Sequence, residues 1–283
     1  MAEPSITELP IIDYKANNAD LQFTQSLVEY GFAAFRNHPL DITRINRIYR
    51  DWAAFFASDK KFDYAYSKQA QDGFFSMDDA ESAKGTDVKD YKEYYHYYTW
   101  GRCPDELKQD IADYYKEAHD FAAILLRWVE QYTPANIAKH YSEPLSNMIE
   151  ASELTLLRIL HYPPVPQGQE VCRASAHEDI NLLTILPAAA GAGLEIQAMN
   201  DEWVSVPPNP ETVLVNIGDM LQEASGGYYP STTHRVAAPA EDQANLSRMS
   251  LPLFLHPRPD VKLSDRYTSE QYLQERLKEL GVI

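Results

Sequence analysis

Apolar residues recur along this 283-residue chain with two different periods, and the change falls near Leu154. Before that point the period is mostly helical. Leu9–Tyr14 is a short apolar run that reads as a strand. A helix is expected from about Asp20, with Leu21, Leu27, Val28 and Phe32 near one face. Asp41 suits an N-cap, and behind it Ile42, Ile45, Ile48, Trp52, Phe55 and Phe56 return at helical spacing. Residues 58 to 100 are polar, tyrosine-rich and weakly periodic, which predicts a long loop with short strands. Pro104, Asp105 and Glu106 suit the first turn of a long helix. Its buried stripe would be Leu107, Ile111, Tyr114, Ala118, Phe121, Leu125 and Val129.

After Leu154 the period becomes two. Leu154–Tyr162, Asn181–Leu186, Leu194–Gln197, Trp203–Val206, Thr212–Ile217, Thr232–Ala237 and Arg248–Leu255 are short runs separated by Pro, Gly and Asn. Many short strands at near-regular spacing predict an antiparallel sandwich or barrel of the jelly-roll kind. Thr268–Leu280 then reads as an amphipathic helix. The expected fold class is α+β: a jelly-roll, or double-stranded β-helix, core over residues 151–283 with its C-terminal helix. A mainly helical region, residues 1–150, packs on that core to make one compact unit.

Lys and Arg number 25 against 42 Asp and Glu, a net charge of −17. That balance repels a phosphate backbone and an anionic membrane surface, so neither nucleic acid nor membrane is an expected partner. It leaves small molecules, carboxylates included, since one buried arginine can hold an anion whatever the global charge. Cys103 and Cys172 make no disulfide framework. The sequence MAEPSITELP lacks the basic and apolar regions of a signal peptide, and no run is long enough to span a bilayer. A cytoplasmic protein is expected; its oligomeric state is not legible.

Among the eight histidines, His177-Glu178-Asp179 carries the clearest chemistry. Residues i and i+2 of an extended segment share a face, so His177 and Asp179 can chelate one ion together. His234, delivered by a later strand, can complete the set. Two imidazoles and a carboxylate leave coordination positions open, as in non-haem Fe(II) oxygenases; zinc hydrolases use a similar set.

The runs around these residues closely resemble the isopenicillin N synthase-like branch of the Fe(II)/2-oxoglutarate-dependent dioxygenases. The matching pieces are His177–Leu186, Gly193–Gln197, Trp203–Pro207, Val215–Leu221, Tyr229–Val236 and Arg248–Phe254, with Leu9–Tyr14 and Tyr30–Phe32 in the N-terminal region. The resemblance implies Fe(II) on His177, Asp179 and His234, with O2 and 2-oxoglutarate as co-substrates. A small molecule would be hydroxylated, desaturated or cyclised, with release of succinate and CO2.

Arg248 and Ser250, at i and i+2, share one strand face, and a buried guanidinium needs an anion. The resemblance supplies one, the distal carboxylate of 2-oxoglutarate, with Tyr162 also reaching it. Leu160 stands where many relatives that use 2-oxoglutarate carry Asn. Two alternatives follow: a synthase-type oxidase that uses O2 without 2-oxoglutarate, and a non-catalytic jelly-roll metal-binding protein. The Gly73–Tyr98 segment, including His96, and the C-terminal helix are expected to meet the substrate. His161 should face away from the metal. His256 should end its strand near a pocket rim, and Gly226-Gly227 should turn the chain tightly ahead of His234.

Overall fold

Strands from both halves of the chain share one large sheet in the computed structural model. It describes residues 9–80, 89–166, 171–188, 191, 193–198, 201–238 and 245–279. From the N-terminal side, strand β1 (Ile11–Asp13) leads to helix α1 (Ala19–Tyr30), strand β2 (Phe32–Arg36) and helix α2 (Ile42–Phe56). Strands β3 (Gly73–Phe75) and β4 (Glu93–Tyr97) precede the long helix α3 (Asp105–Tyr132) and two short helices, α4 (Ala135–Ala138) and α5 (Leu145–Met148). Next come β5 (Leu156–Tyr162), β6 (Ala174–His177), β7 (Leu183–Pro187), β8 (Leu194–Gln197), β9 (Trp203–Ser205) and β10 (Val213–Ile217). Helix α6 (Asp219–Ala224), β11 (His234–Val236), β12 (Arg248–Ser250), β13 (Leu253–Leu255) and helix α7 (Ser269–Glu279) follow.

The large sheet runs β1-β2-β10-β7-β13-β5-β4-β3, with β12 pairing β5 beside β13. The small sheet runs β6-β11-β8-β9. Except for the parallel β1–β2 pair, neighbouring strands are antiparallel. Side-chain alternation sorts the interior into two cores. Leu157 and Ile159 of β5, Ile185 of β7 and Val213 of β10 face the helices, where they meet Phe23, Trp52, Ile111 and Phe121. Leu160 and Tyr162, on the opposite face of β5, meet Ala174, Ile196, Val204 and Val236 of the small sheet. The two sheets thus close on each other, and the helices cover only the outer face of the larger one.

Some sequence expectations need correction. Leu21 and Val28 are 37% and 38% exposed; the buried line of α1 is Ala19, Phe23 and Leu27, at spacings of four. Phe32 lies past the helix in β2, because Gly31 ends α1 in the left-handed region (φ 67°) and donates its N–H to the Leu27 carbonyl. The expected strand Arg248–Leu255 is two strands, split at Leu251-Pro252, since Pro252 has no N–H for the ladder. Within residues 58 to 100, β4 is buried along its whole length between β3 and β5. Covered on both faces, it has no alternation to read. Strand β6 was also not expected.

Glu93 shows how polar groups survive in that strand. Its carboxylate accepts from Lys61 Nζ at 2.8 Å and meets His161 Nδ1 at 2.8 Å. His161 Nε2 in turn lies 2.8 Å from the Ser247 hydroxyl, and its ring stacks on Phe56. The network therefore ties α2 and the segment after it to β4, β5 and the start of β12, on the face away from the metal. Burial alone would raise the Glu93 pKa, but the bonds from His161 and Lys61 outweigh it and hold the carboxyl below its ordinary range. A depressed carboxyl contributes stability that is complete above its unfolded pKa of about 4.3 and is lost as pH falls through the lower folded value. Glu93→Gln should cost about 1–3 kcal/mol at pH 7. Urea midpoints followed from pH 7 to pH 3.5 should show that gap narrowing on the acid side; a constant gap would contradict this account.

Candidate metal centre

His177 closes β6 and His234 opens β11, and the antiparallel register places them directly opposite each other. Their ring centroids are 4.4 Å apart. Asp179, two residues on and 6% exposed, turns its Oδ1 toward both Nε2 atoms, at 3.9 Å from His177 and 3.8 Å from His234. One ligand atom from each residue lies within 4.8 Å of the others, the one such cluster among the described residues.

Each donor has its second polar atom occupied. His177 Nδ1 lies 2.7 Å from the Ser175 carbonyl and His234 Nδ1 lies 3.1 Å from the Thr232 carbonyl. A carbonyl only accepts, so both imidazoles carry the proton on Nδ1 and present the Nε2 lone pair to the centre. Asp179 Oδ2 accepts from the Thr184 hydroxyl at 2.5 Å and from Asn216 Nδ2 at 2.7 Å, leaving Oδ1 toward the imidazoles. Burial pushes the other way, but the two histidines and these two hydrogen bonds hold the Asp179 carboxyl low. Packing around the ring and the adjacent His234 push His177 down to about 4, although 45% of its side chain is exposed. The cluster therefore offers two imidazole Nε2 atoms and one carboxylate oxygen. That donor set fits a divalent cation of the Fe(II) type and leaves one side open.

The loop carrying Asp179 is docked on α6. Asp219 N–H donates to the Asp179 carbonyl at 2.7 Å, and Gly218 N–H to the Leu182 carbonyl at 3.1 Å. An added Cβ at Gly218 would lie 2.2 Å from the Asn181 carbonyl oxygen, so only glycine permits this approach.

Arg248 and Ser250 are 5% and 4% exposed, and β12 pairs them with Tyr162 and Leu160 of β5. The Arg248 guanidinium lies over the Tyr162 ring, 5.3 Å from its centroid, and Ser250 follows Arg248 by two residues on the same strand. Arg248 Nε donates to the Gly191 carbonyl at 3.3 Å, while buried Nη1 has no partner. An unpaired buried guanidinium N–H is costly and fits a carboxylate ligand.

His96 of β4 is buried inside the barrel, with Arg158 Nε donating to its Nε2 at 2.9 Å. Tyr66, Phe75 and Tyr94 stack in sequence beside it. The Arg158 guanidinium lies 4.7 Å from the Tyr94 ring centroid and 5.5 Å from that of Phe254. His161 faces away from the metal, as expected. His256 directly follows β13, the strand terminus that Pro257 favours, and burial pushes it down to about 4. Thr184 and Asn216 were not singled out from the sequence. The available signal was a polar residue in the middle of an otherwise apolar strand.

The 2OG-Fe(II) oxygenase superfamily model matches residues 154–257. A solved structure from Shewanella oneidensis, described as an oxygenase, is 49% identical, covers 98% of this chain and 100% of that one, and superposes with a TM-score of 0.88. Jasmonate-induced oxygenase 3 of Arabidopsis thaliana is 28% identical over 92% of this chain and 75% of its own length. The structure of JOX2 with 2OG, Fe and JA shares the fold at 22% identity, with a TM-score of 0.78 over 97% of this chain and 85% of that one. Because likeness at this level runs the length of the chain and the family model covers the segment that carries His177, Asp179 and His234, the chain belongs to the Fe(II)- and 2-oxoglutarate-dependent oxygenases of the isopenicillin N synthase-like group.

Proposed function

We propose that His177, Asp179 and His234 hold the Fe(II) of this oxygenase, and that Arg248, Ser250 and Tyr162 hold the distal carboxylate of 2-oxoglutarate. The observation that carries the assignment is the convergence of three donor atoms whose second polar atoms are all tied off. Bound together, the iron and 2-oxoglutarate activate O2 for substrate oxidation, with release of succinate and CO2. The protein's own work is positional. Ser175 and Thr232 carbonyls fix the imidazole tautomers, and Thr184 and Asn216 fix the carboxylate. Tyr66, Phe75, Tyr94, His96 and Arg158 form an aromatic, hydrogen-bonding wall for a small-molecule substrate. Jasmonate in the JOX2 complex supports this class of ligand.

The two halves of the chain would act as one unit, a reading supported by the sheet they share. A reducing, cytoplasmic setting is supported by two free thiols, with burial pushing Cys103 up to about 12. Among the described residues no helix is long and apolar enough to cross a membrane.

Asp179→Ala or His177→Ala should abolish 2-oxoglutarate turnover and lower iron per protein chain, with a cooperative melt retained. Metal analysis and succinate assays on both variants check this, and full turnover by both would refute the ligand set. Asn216→Ala and Thr184→Val each strip a hydrogen bond from the buried carboxylate; iron should bind about 10- to 100-fold more weakly in each. Iron titration of the apoprotein measures this directly. Arg248→Ala should weaken 2-oxoglutarate binding by about two to four orders of magnitude with iron content unchanged. Unaltered 2-oxoglutarate KM in that variant would remove Arg248 from the pocket.

A further inference from the structure

A second arginine lies beside the co-substrate pocket. Arg173, immediately before β6, is 3% exposed. Its Nη2 donates to the Leu246 carbonyl at 2.7 Å, two residues before Arg248 in the chain. Its Nε is buried without a partner, as is Arg248 Nη1. Among the described residues no carboxylate forms an ion pair with either guanidinium. Elsewhere the rule is the opposite: buried Lys92 meets Asp90 at 2.9 Å, and Arg235 meets Glu195 at 2.6 Å. In a chain with 42 acidic residues, two buried arginines with no carboxylate partner among the described residues favour an anionic ligand. Burial and the Arg248 charge both act to lower the Arg173 pKa, and Tyr162 acts on it as well, so the three groups share one electrostatic neighbourhood. A structural arginine needs none of this. One bond to a carbonyl does not compensate a buried cation held next to another.

We propose that Arg173 is a second guanidinium of the co-substrate pocket, so that the distal carboxylate of 2-oxoglutarate is held between Arg173 and Arg248. The inference rests on the reading of Arg248 given above and extends it. A carboxylate has two oxygens and about four lone-pair directions, enough to accept from both side chains. Such a clamp makes the distal carboxylate a requirement: a 2-oxo acid of the same length without it would leave two cations buried and unpaired.

Binding is measured by calorimetry under anaerobic conditions on the Mn(II)-loaded protein, with wild type, Arg173→Met, Arg173→Lys and Arg248→Met compared. Losing one charge-assisted contact should weaken 2-oxoglutarate about 10- to 100-fold in Arg173→Met, with Arg173→Lys between it and wild type. Affinity for 2-oxopentanoate, which lacks the distal carboxylate, should change less than about twofold, because that ligand never meets the clamp. Without metal, succinate should raise the thermal midpoint of wild type and not that of Arg173→Met. The midpoint of the ligand-free variant should not fall, since removing one of two like charges relieves repulsion. If Arg173→Met binds 2-oxoglutarate within about twofold of wild type while Arg248→Met does not, Arg173 is outside the pocket and the inference fails alone. If Arg248→Met also binds normally, the reading of the pocket itself fails. Should Arg173→Met not yield folded protein, wild-type affinity in Arg173→Lys overturns the inference instead.

Discussion

The Asp179 carboxylate is the group on which the rest of the site depends. It is an ionised side chain in an almost fully enclosed position, and it is tolerable there only because every direction around it is answered. Thr184 of β7 and Asn216 of β10 bind its outer oxygen, and those two residues are cross-strand partners in the large sheet. The inner oxygen faces His177 and His234, cross-strand partners in the small sheet. One carboxylate therefore joins the two sheets at the point where they open, and strand register alone fixes all four of its partners. Docking of its backbone on α6 and the close approach permitted by Gly218 hold the carboxylate between them.

How much of this was legible depends on whether a signal was local. The stripes of α2 and α3 were readable because each buries one face against a single sheet, so the helical period survives in the sequence. The cluster of His177, Asp179 and His234 came from a short motif at fixed spacing and one distant histidine, and Arg248 from its place two residues before Ser250 on one strand. Strand β4 was not, because a strand covered on both faces loses its alternation and keeps its polar atoms by internal pairing, as Glu93 does. Of the expected α1 stripe only Leu27 is buried in the helix, since Leu21 and Val28 are apolar but turned outward and Phe32 lies in β2. Arg173 has no motif at all. What singles it out is a buried Nε without a hydrogen-bond partner, which only three-dimensional structure displays.

Buried cations near Arg248 and near His177 are partnered differently. Around Arg248 and Arg173 positive charge is left without acids. Beside His177, Lys92 is held by Asp90, whose other oxygen accepts from the Ser175 backbone and hydroxyl.

The alternation of side chains along β4 and β5 divides labour between neighbouring residues. Tyr95, Tyr97, Leu157 and Ile159 belong to the core beneath the helices, whereas Tyr94, His96, Arg158 and Leu160 look into the barrel. Exchanging a residue of the second group alters the shape and polarity offered to a ligand, yet leaves the helix-facing packing in place. Such a wall can diverge freely during descent from a common ancestor without each change being checked by loss of the folded state. A single scaffold built this way can serve a lineage whose members oxidise chemically unrelated compounds, with inheritance recorded on one face of a strand and novelty on the other.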